Sequence, residues 1–212
     1  LFRLSGGIYI QPPFYRELRM FDGSLVSPEE ASTQKSYQVV LTHEYKFDAW
    51  NRPFILTSEF YYKYLKDIIP YEVDNIRIRY YADQKATGYA TGLDLRLNGE
   101  FVKGIESWAS LSLMKTAESI KYYLSPSGEI LSQTDINNGE TYISDTLIRG
   151  IPRPSDQRIN FSLFFQDYIP FIPSFKVNLK LVFGTGMPFG APHTERYQQK
   201  KRMSAYRRID IG

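Results

Sequence analysis

The chain has 212 residues, of which 42% are hydrophobic, 16% aromatic and 23% charged, and its formal net charge is +3. This length is enough for one sizeable domain, and the absence of cysteine excludes disulfides and thiolate metal sites. The mild positive charge does not collect on one stripe, which argues against nucleic-acid binding, and no apolar run approaches the ~20 residues of a membrane helix.

Eight segments alternate apolar and polar side chains with the period of a β-strand, whose successive side chains point to opposite faces. In the third, Phe54, Leu56 and Phe60 share one face while Thr57 and Glu59 share the other. Strands usually stop after about five or six residues, whereas about nine to eleven cross a bilayer. In chain order, the predicted strands are 1–10, 36–47, 53–66, 88–102, 107–117, 158–167, 174–184 and 203–212.

The connections between these strands alternate strictly between long and short. Short turns on one side and long loops on the other are typical of outer-membrane barrels. Substrate contacts come more often from such outer loops than from the strands. The predicted outer loops are 11–35, 67–87, 118–157 and 185–202.

Aromatic side chains cluster at both ends of the predicted strands, with aliphatic side chains between them. The two interfaces of a bilayer select two such belts, so we predict that they border a lipid-facing band. The predicted belt residues are Phe47, Trp50, Phe54, Tyr62, Tyr64, Tyr89, Phe101, Trp108, Phe165, Tyr168, Phe175 and Phe183.

The opposite rows carry charged and polar side chains, which we predict to face the lumen of a barrel. Arginine on the lipid side near the midplane costs roughly 2–4 kcal/mol, so the reversed orientation is unfavourable. The predicted lumen-facing residues are Glu44, Glu59, Tyr61, Lys63, Asp94, Arg96, Asn98, Glu100, Lys176 and Lys180. The alternative is a soluble antiparallel sandwich or a lipocalin-like barrel that binds a small ligand, since such proteins also alternate.

Several stretches resemble the barrel of TonB-dependent outer-membrane receptors of the Bacteroidetes type. The resemblance covers nearly all of the chain, in the same order, and is not specific to any substrate. The stretches that carry it are GGIYIQPPFYRELR, KATGYATGLDLRLNGEFVKGIESWASLSLMKT, IPRPSDQRINFSLFFQDYIP, LVFGTGMPFGAP and RMSAYRRIDIG.

The resemblance implies an all-β antiparallel transmembrane barrel of about 22 strands that encloses a plug. It also implies that an N-terminal segment engages TonB, whose energy rearranges the plug and admits a scarce or large substrate. We expect residues 1–212 to be eight consecutive strands from the later part of such a barrel, with the plug and the final strands outside this chain. The lumen-facing residues would then hold the plug or line the substrate path.

No motif of an enzyme is complete, so the sequence predicts no catalytic residue, no cofactor and no metal. His43 and Glu44 begin a metalloprotease pattern, but Phe47 stands where the second histidine is needed. His193 lies in a predicted loop. Gly184, Gly186 and Gly190 do not have the spacing of a dinucleotide fingerprint, and a flexible exit from a strand is the simpler interpretation.

The basic run Lys200, Lys201 and Arg202 would meet lipopolysaccharide phosphates if its loop faces outward; the alternative is an ordinary solvated loop. The leading hypothesis is a TonB-dependent receptor in the cell outer membrane, not an enzyme. Its expected partners are TonB, outer-membrane lipid and lipopolysaccharide, and a surface lipoprotein lid, with no nucleic acid. The competing hypothesis is a structural or assembly subunit of an outer-membrane complex with a receptor-like barrel.

Overall fold

The computed structural model describes residues 1–19, 23–26, 33–74, 77–169, 172–191 and 194–212. Eight long antiparallel strands dominate it, one for each predicted strand, so the all-β prediction is confirmed. The strands are β1 (Phe2–Gln11), β2 (Gln34–Ala49), β3 (Arg52–Ile68), β4 (Ala86–Val102), β5 (Ile105–Leu124), β6 (Ile159–Ile169), β7 (Ile172–Gly184) and β8 (Tyr206–Ile211).

The eight strands form one sheet in which each strand pairs with the next along the chain. This is the simplest antiparallel order, because each connection only has to reverse the chain direction. In the part of the chain that the structure describes, β1 and β8 are the two edges of the sheet, which is therefore open. A closed barrel of about 22 strands stays a prediction.

The register between the strands aligns their faces. Residues directly opposite each other in an antiparallel pair point to the same side of the sheet. A row of such residues across the strands therefore shows whether that side is apolar or polar. An apolar line consists of Leu41, Phe60, Leu93 and Leu113. The polar line beside it consists of Thr42, Glu59, Asp94 and Ser112. We call these two sides the apolar face and the polar face.

Many large side chains on the apolar face are exposed. Leu4 is 71% exposed, Phe60 54% and Phe175 62%, whereas Tyr61 and Lys63 on the polar face are half-buried. Contacts between the long strands almost all join neighbours within the sheet. The described residues therefore form a single-layered sheet and not the two sheets with facing apolar rows that a sandwich needs.

Two of the short connections are tight turns. Trp50 and Asn51 join β2 to β3, and their φ angles of 53° and 57° are left-handed. Two successive left-handed residues match the twist of a two-residue hairpin. Gly104, with φ 74°, serves the turn between β4 and β5, where glycine has no steric cost.

Two predicted belt residues lie on the polar face. Trp108 is opposite Asn98, and Tyr168 is opposite Lys176. Closeness to a turn does not decide the face on which a side chain lies, so these two rings do not extend a belt on the apolar face. The position along the strand decides the face, because alternate residues point to opposite sides and a shift of one residue moves a side chain to the other side.

The predicted loop 118–157 contains regular structure. β5 continues to Leu124, and the short strand Ser144–Pro152 pairs with this extension. No described helix has the length and apolar character needed to span a membrane. The remaining short elements are Tyr15–Leu18 and Arg196–Gln198 (3-10 helices), Gln133–Asn137 (α-helix) and the strands Tyr71–Asp74, Arg77–Tyr80, Ile130–Leu131, Pro188–Phe189 and Lys201–Arg202.

Candidate functional site

The long connections pack together beyond the ends of the strands. We call their described parts within 69–85, 118–158 and 185–202 the loop cap. A small apolar core holds the loop cap on the sheet, and partly buried side chains pack against this core. The core consists of Ile68, Ala86, Ile120, Tyr122 and Ile151, and the side chains against it are Leu65, Ile148 and Tyr197.

A buried ion triad crosses the loop cap. Glu118 lies 2.8 Å from the Arg196 guanidinium and 3.3 Å from that of Arg153, measured between the charged atoms. The Glu118 side chain is fully buried and that of Arg196 nearly so. Burial raises the pKa of the Glu118 carboxyl, and the two guanidinium groups oppose this shift. The triad joins the extension of β5 to two separate loop segments.

Asp156 provides a hydrogen-bond acceptor at a point where the strand pairing of the sheet is interrupted. The strand Ser144–Pro152 and β6 both pair with β5, one after the other, and 153–158 between them leaves the ladder. The fully buried Asp156 accepts a hydrogen bond of 2.8 Å from the Thr116 backbone N–H in this gap. Its carboxylate also binds Arg158 at 2.8 Å and contacts Arg202. The side chain thus supplies the acceptor that a continuous strand would have provided.

Two tyrosines of the loop cap are held in the neutral form. The Tyr81 hydroxyl donates to Glu72 at 2.9 Å, and Glu72 also accepts from Gln199. Burial raises the pKa of Tyr81 far above its ordinary value, and the negative charge of Glu72 adds to the shift. Burial likewise raises the pKa of Tyr122, which lies in the extension of β5 that pairs with Ser144–Pro152.

A hollow at the surface of the loop cap contains an unsatisfied amide. Asp83, Lys85, Lys121 and Gln133 line it, together with Gln84. Gln84 is only 3% exposed, and neither its amide oxygen nor its amide nitrogen has a hydrogen-bond partner among the described residues. A buried amide without partners costs about 1–3 kcal/mol. This hollow is therefore the best candidate in the loop cap for contact with a polar ligand.

The predicted lumen-facing residues all belong to the polar face. Glu59, Asp94, Arg96 and Asn98 come together with Thr57 around a shallow hollow on β3 and β4. Hydrogen bonds cross-link them: Thr42 donates to Glu59 at 3.0 Å, Ser112 to Asp94, and Arg96 to Asn98 at 3.1 Å. The arrangement is a charged, hydrogen-bonded wall.

The other members of the predicted lumen set lie away from this hollow. Lys63 and Lys176 lie over the rings of Tyr61 and Tyr168, 5.5 Å and 5.4 Å from the ring centres. The other three have separate neighbours: Glu44 pairs with Lys46, Lys180 is opposite Asp210, and Glu100 accepts from the Gly104 backbone N–H.

The aromatic belt residues on the apolar face form contacts at both ends of the strands. At the short turns, the rings of Phe47, Trp50 and Phe101 all contact Phe54. At the other end, Tyr62 stacks on Tyr89 with 6.5 Å between ring centres, and Tyr64 lies beside Tyr37 at 6.1 Å. Phe165, Phe175 and Phe183 share the face of Leu179 and Leu181 along β6 and β7.

The basic run of the last loop is divided. Arg202 turns inward to Asp156, while Lys200 and Lys201 are exposed. Lipopolysaccharide contact by the two lysines stays a prediction, but the Arg202 guanidinium is already bound.

The described residues hold no group of three His, Cys, Asp or Glu side chains that could bind a metal ion. His43 stacks on Phe2 at 4.3 Å, and His193 is outside the described residues. Sequence reasoning missed Gln84, Glu118, Asp156 and Arg196. They are far apart in the chain, and no local spacing connects them. Comparisons with protein-family models, curated proteins and solved structures found no match.

Proposed function

We propose that this chain forms part of the wall of a TonB-dependent receptor in the outer membrane, which imports a scarce or large substrate. One observation carries the proposal: the apolar face continues across eight strands, is exposed, and bears aromatic rings at both ends. In water this surface would be a large exposed apolar patch, which soluble monomers avoid. In a bilayer it would contact acyl chains and interfaces.

The polar face supports the same orientation. Its carboxylates, lysines and arginines would pay a large desolvation cost against lipid, whereas in a lumen they would keep water or polar partners. The hydrogen-bonded wall around Glu59, Asp94 and Arg96 is suited to hold a plug or to border a substrate path. The loop cap would lie on the outer surface, where long barrel loops belong.

The loop cap is then the part that meets the substrate. The hollow beside Gln84 is lined by charged and polar side chains, which are Asp83, Lys85, Lys121 and Gln133. A surface lipoprotein lid would have to cover this same end of the barrel. The polar character of the hollow favours a substrate rich in hydrogen-bonding groups.

The experiment compares two arginine substitutions in the complete polypeptide that contains this sequence. Leu95 is on the apolar face, and Ser112 is on the polar face opposite Asp94. We expect Leu95→Arg to impair membrane insertion by roughly 2–4 kcal/mol, while Ser112→Arg and Asp94→Ala insert normally. The measurement is heat-modifiable mobility on a gel after assembly in vesicles. Equal behaviour of Leu95→Arg and Ser112→Arg would mean that the faces are assigned wrongly.

The receptor class is tested on the same preparation. We expect the inserted polypeptide to bind the purified periplasmic domain of TonB in isothermal titration calorimetry. Normal insertion without TonB binding would reject the receptor and leave a structural barrel subunit.

A further inference from the structure

Two lysines face each other on the apolar face. Lys35 of β2 is directly opposite Lys66 of β3, one step beyond the facing pair Tyr37 and Tyr64. On its other side, Lys35 is opposite Ile10 of β1. The order along these strands is therefore aliphatic band, tyrosine pair, lysine pair.

Neither lysine is neutralised. Within the described residues, neither has an ion pair or a side-chain hydrogen bond. Like charges directly opposite each other destabilise a sheet, so the pair has a cost in the isolated chain. Some other cations of the strands do have partners: Lys46 pairs with Glu44, and Arg208 pairs with Asp210.

The other end of β2 and β3, at the short turn, has a different arrangement. There the aromatic cluster around Phe54 is followed by Arg52, whose guanidinium donates to the Phe101 carbonyl. Arg52 thus has a hydrogen-bond acceptor beside its charge, whereas Lys35 and Lys66 have none among the described residues. Lys115 of β5 and Arg207 of β8 lie on the same face, opposite Thr91 and Phe183, and have no ion pair with any residue that the structure describes.

We propose that the Lys35–Lys66 pair binds the phosphate of an anionic lipid in the outer leaflet, whose acyl chains lie along Leu41 and Phe60. This inference depends on the proposed membrane location. Two ammonium groups supply up to six donors, and a phosphate has the charge and acceptors to bridge them. The adjoining tyrosines mark the interface, which is the depth of the head groups. An apolar surface continuous with the cation pair favours a lipid over free phosphate.

The test uses the complete polypeptide in phosphatidylcholine nanodiscs, titrated with bisphosphorylated lipid A and followed by native mass spectrometry. Lys35→Gln/Lys66→Gln removes the pair, and Lys46→Gln/Lys103→Gln removes the same charge from exposed positions near the short turns. We expect the first variant to bind lipid A about thirtyfold more weakly, since each lysine near the surface contributes about a factor of five. The control variant and the wild type should bind equally.

Three outcomes would overturn the proposal. Equal losses in both variants would mean that lipid A responds only to net charge. Equal binding of fully dephosphorylated lipid A would exclude the phosphate as the recognised group. Displacement of lipid A by millimolar inorganic phosphate would show that the Lys35–Lys66 pair binds free phosphate and not a lipid. Normal heat-modifiable mobility of both variants keeps these failures distinct from failure of the membrane proposal, in which the wild type itself would not insert.

Discussion

Gly99 and Phe54 form a close pair on the apolar face. They are opposite each other in β4 and β3, and Phe54 is only 2% exposed. A Cβ atom added at position 99 would overlap the Phe54 ring. The ring therefore lies over the glycine backbone, where Phe47, Trp50 and Phe101 surround it. This explains a glycine in the middle of a strand, where its lack of a side chain is normally unfavourable.

Gly99→Ala should displace the ring and destabilise the protein by about 1–3 kcal/mol, the usual cost of overpacking. Thermal unfolding followed by heat-modifiable mobility measures the loss. Because Phe54→Ala makes room for the new methyl group, Gly99→Ala should cost much less in that background. Equal costs in the two backgrounds would show that the ring does not occupy the space above Gly99.

At the scale of the strand, the period of two was enough to locate all eight long strands and most of their faces. Leu93, Leu95 and Leu97 alternate strictly with Asp94 and Arg96. This alternation places the three leucines together on one face of the strand. The extension of β5 was missed because in 118–124 the alternation is weak and apolar side chains occur on both sides. There the loop cap covers both faces, so no clear amphipathic pattern is needed.

Asp156→Ala should destabilise the junction between β5 and β6 by on the order of 3 kcal/mol, because it leaves the buried Thr116 N–H and two arginines without their acceptor. Hydrogen exchange at the Thr116 amide should become faster. The matched control is Asp145→Ala, which removes an exposed partner of Lys121 at 2.7 Å and should destabilise the protein much less, because exposed ion pairs contribute little. Equal effects would mean that Asp156 does not complete the sheet.

At the scale of the molecule, the loop cap and the sheet are held together by different forces. The sheet depends on backbone pairing and on its surroundings, whereas the loop cap depends on a small core, the Glu118 triad and neutral buried tyrosines. Local patterns predicted the sheet because its contacts join neighbours in the chain. They did not predict the candidate site, because Glu118, Arg153 and Arg196 meet only after the loops fold back over β5.

The loop cap should loosen at alkaline pH before the sheet does. Tyr81 and Tyr122 have raised pKa values in the folded state, so they keep their protons where the opened state loses them. Their contribution to stability is complete below about pH 10, the unfolded value, and is lost as the pH rises above it. Hydrogen exchange of the loop cap as a function of pH measures this.

Tyr81→Phe/Tyr122→Phe should shift the loosening to higher pH, while Tyr9→Phe, at an exposed position, should leave it unchanged. If the double variant loosens at the same pH as the wild type, ionisation of these two tyrosines is not what opens the loop cap.

The strand order has a consequence for how the molecule is built. Each long strand pairs with its predecessor in the chain, so the sheet can grow one strand at a time, with a short loop closure at every second step. The contact between Glu72 and Gln199 joins residues 127 positions apart and requires β7 to be in place. The end of the sheet with the long connections therefore folds last. Until then the loop cap does not cover the strand ends there, and they are accessible to a folding factor.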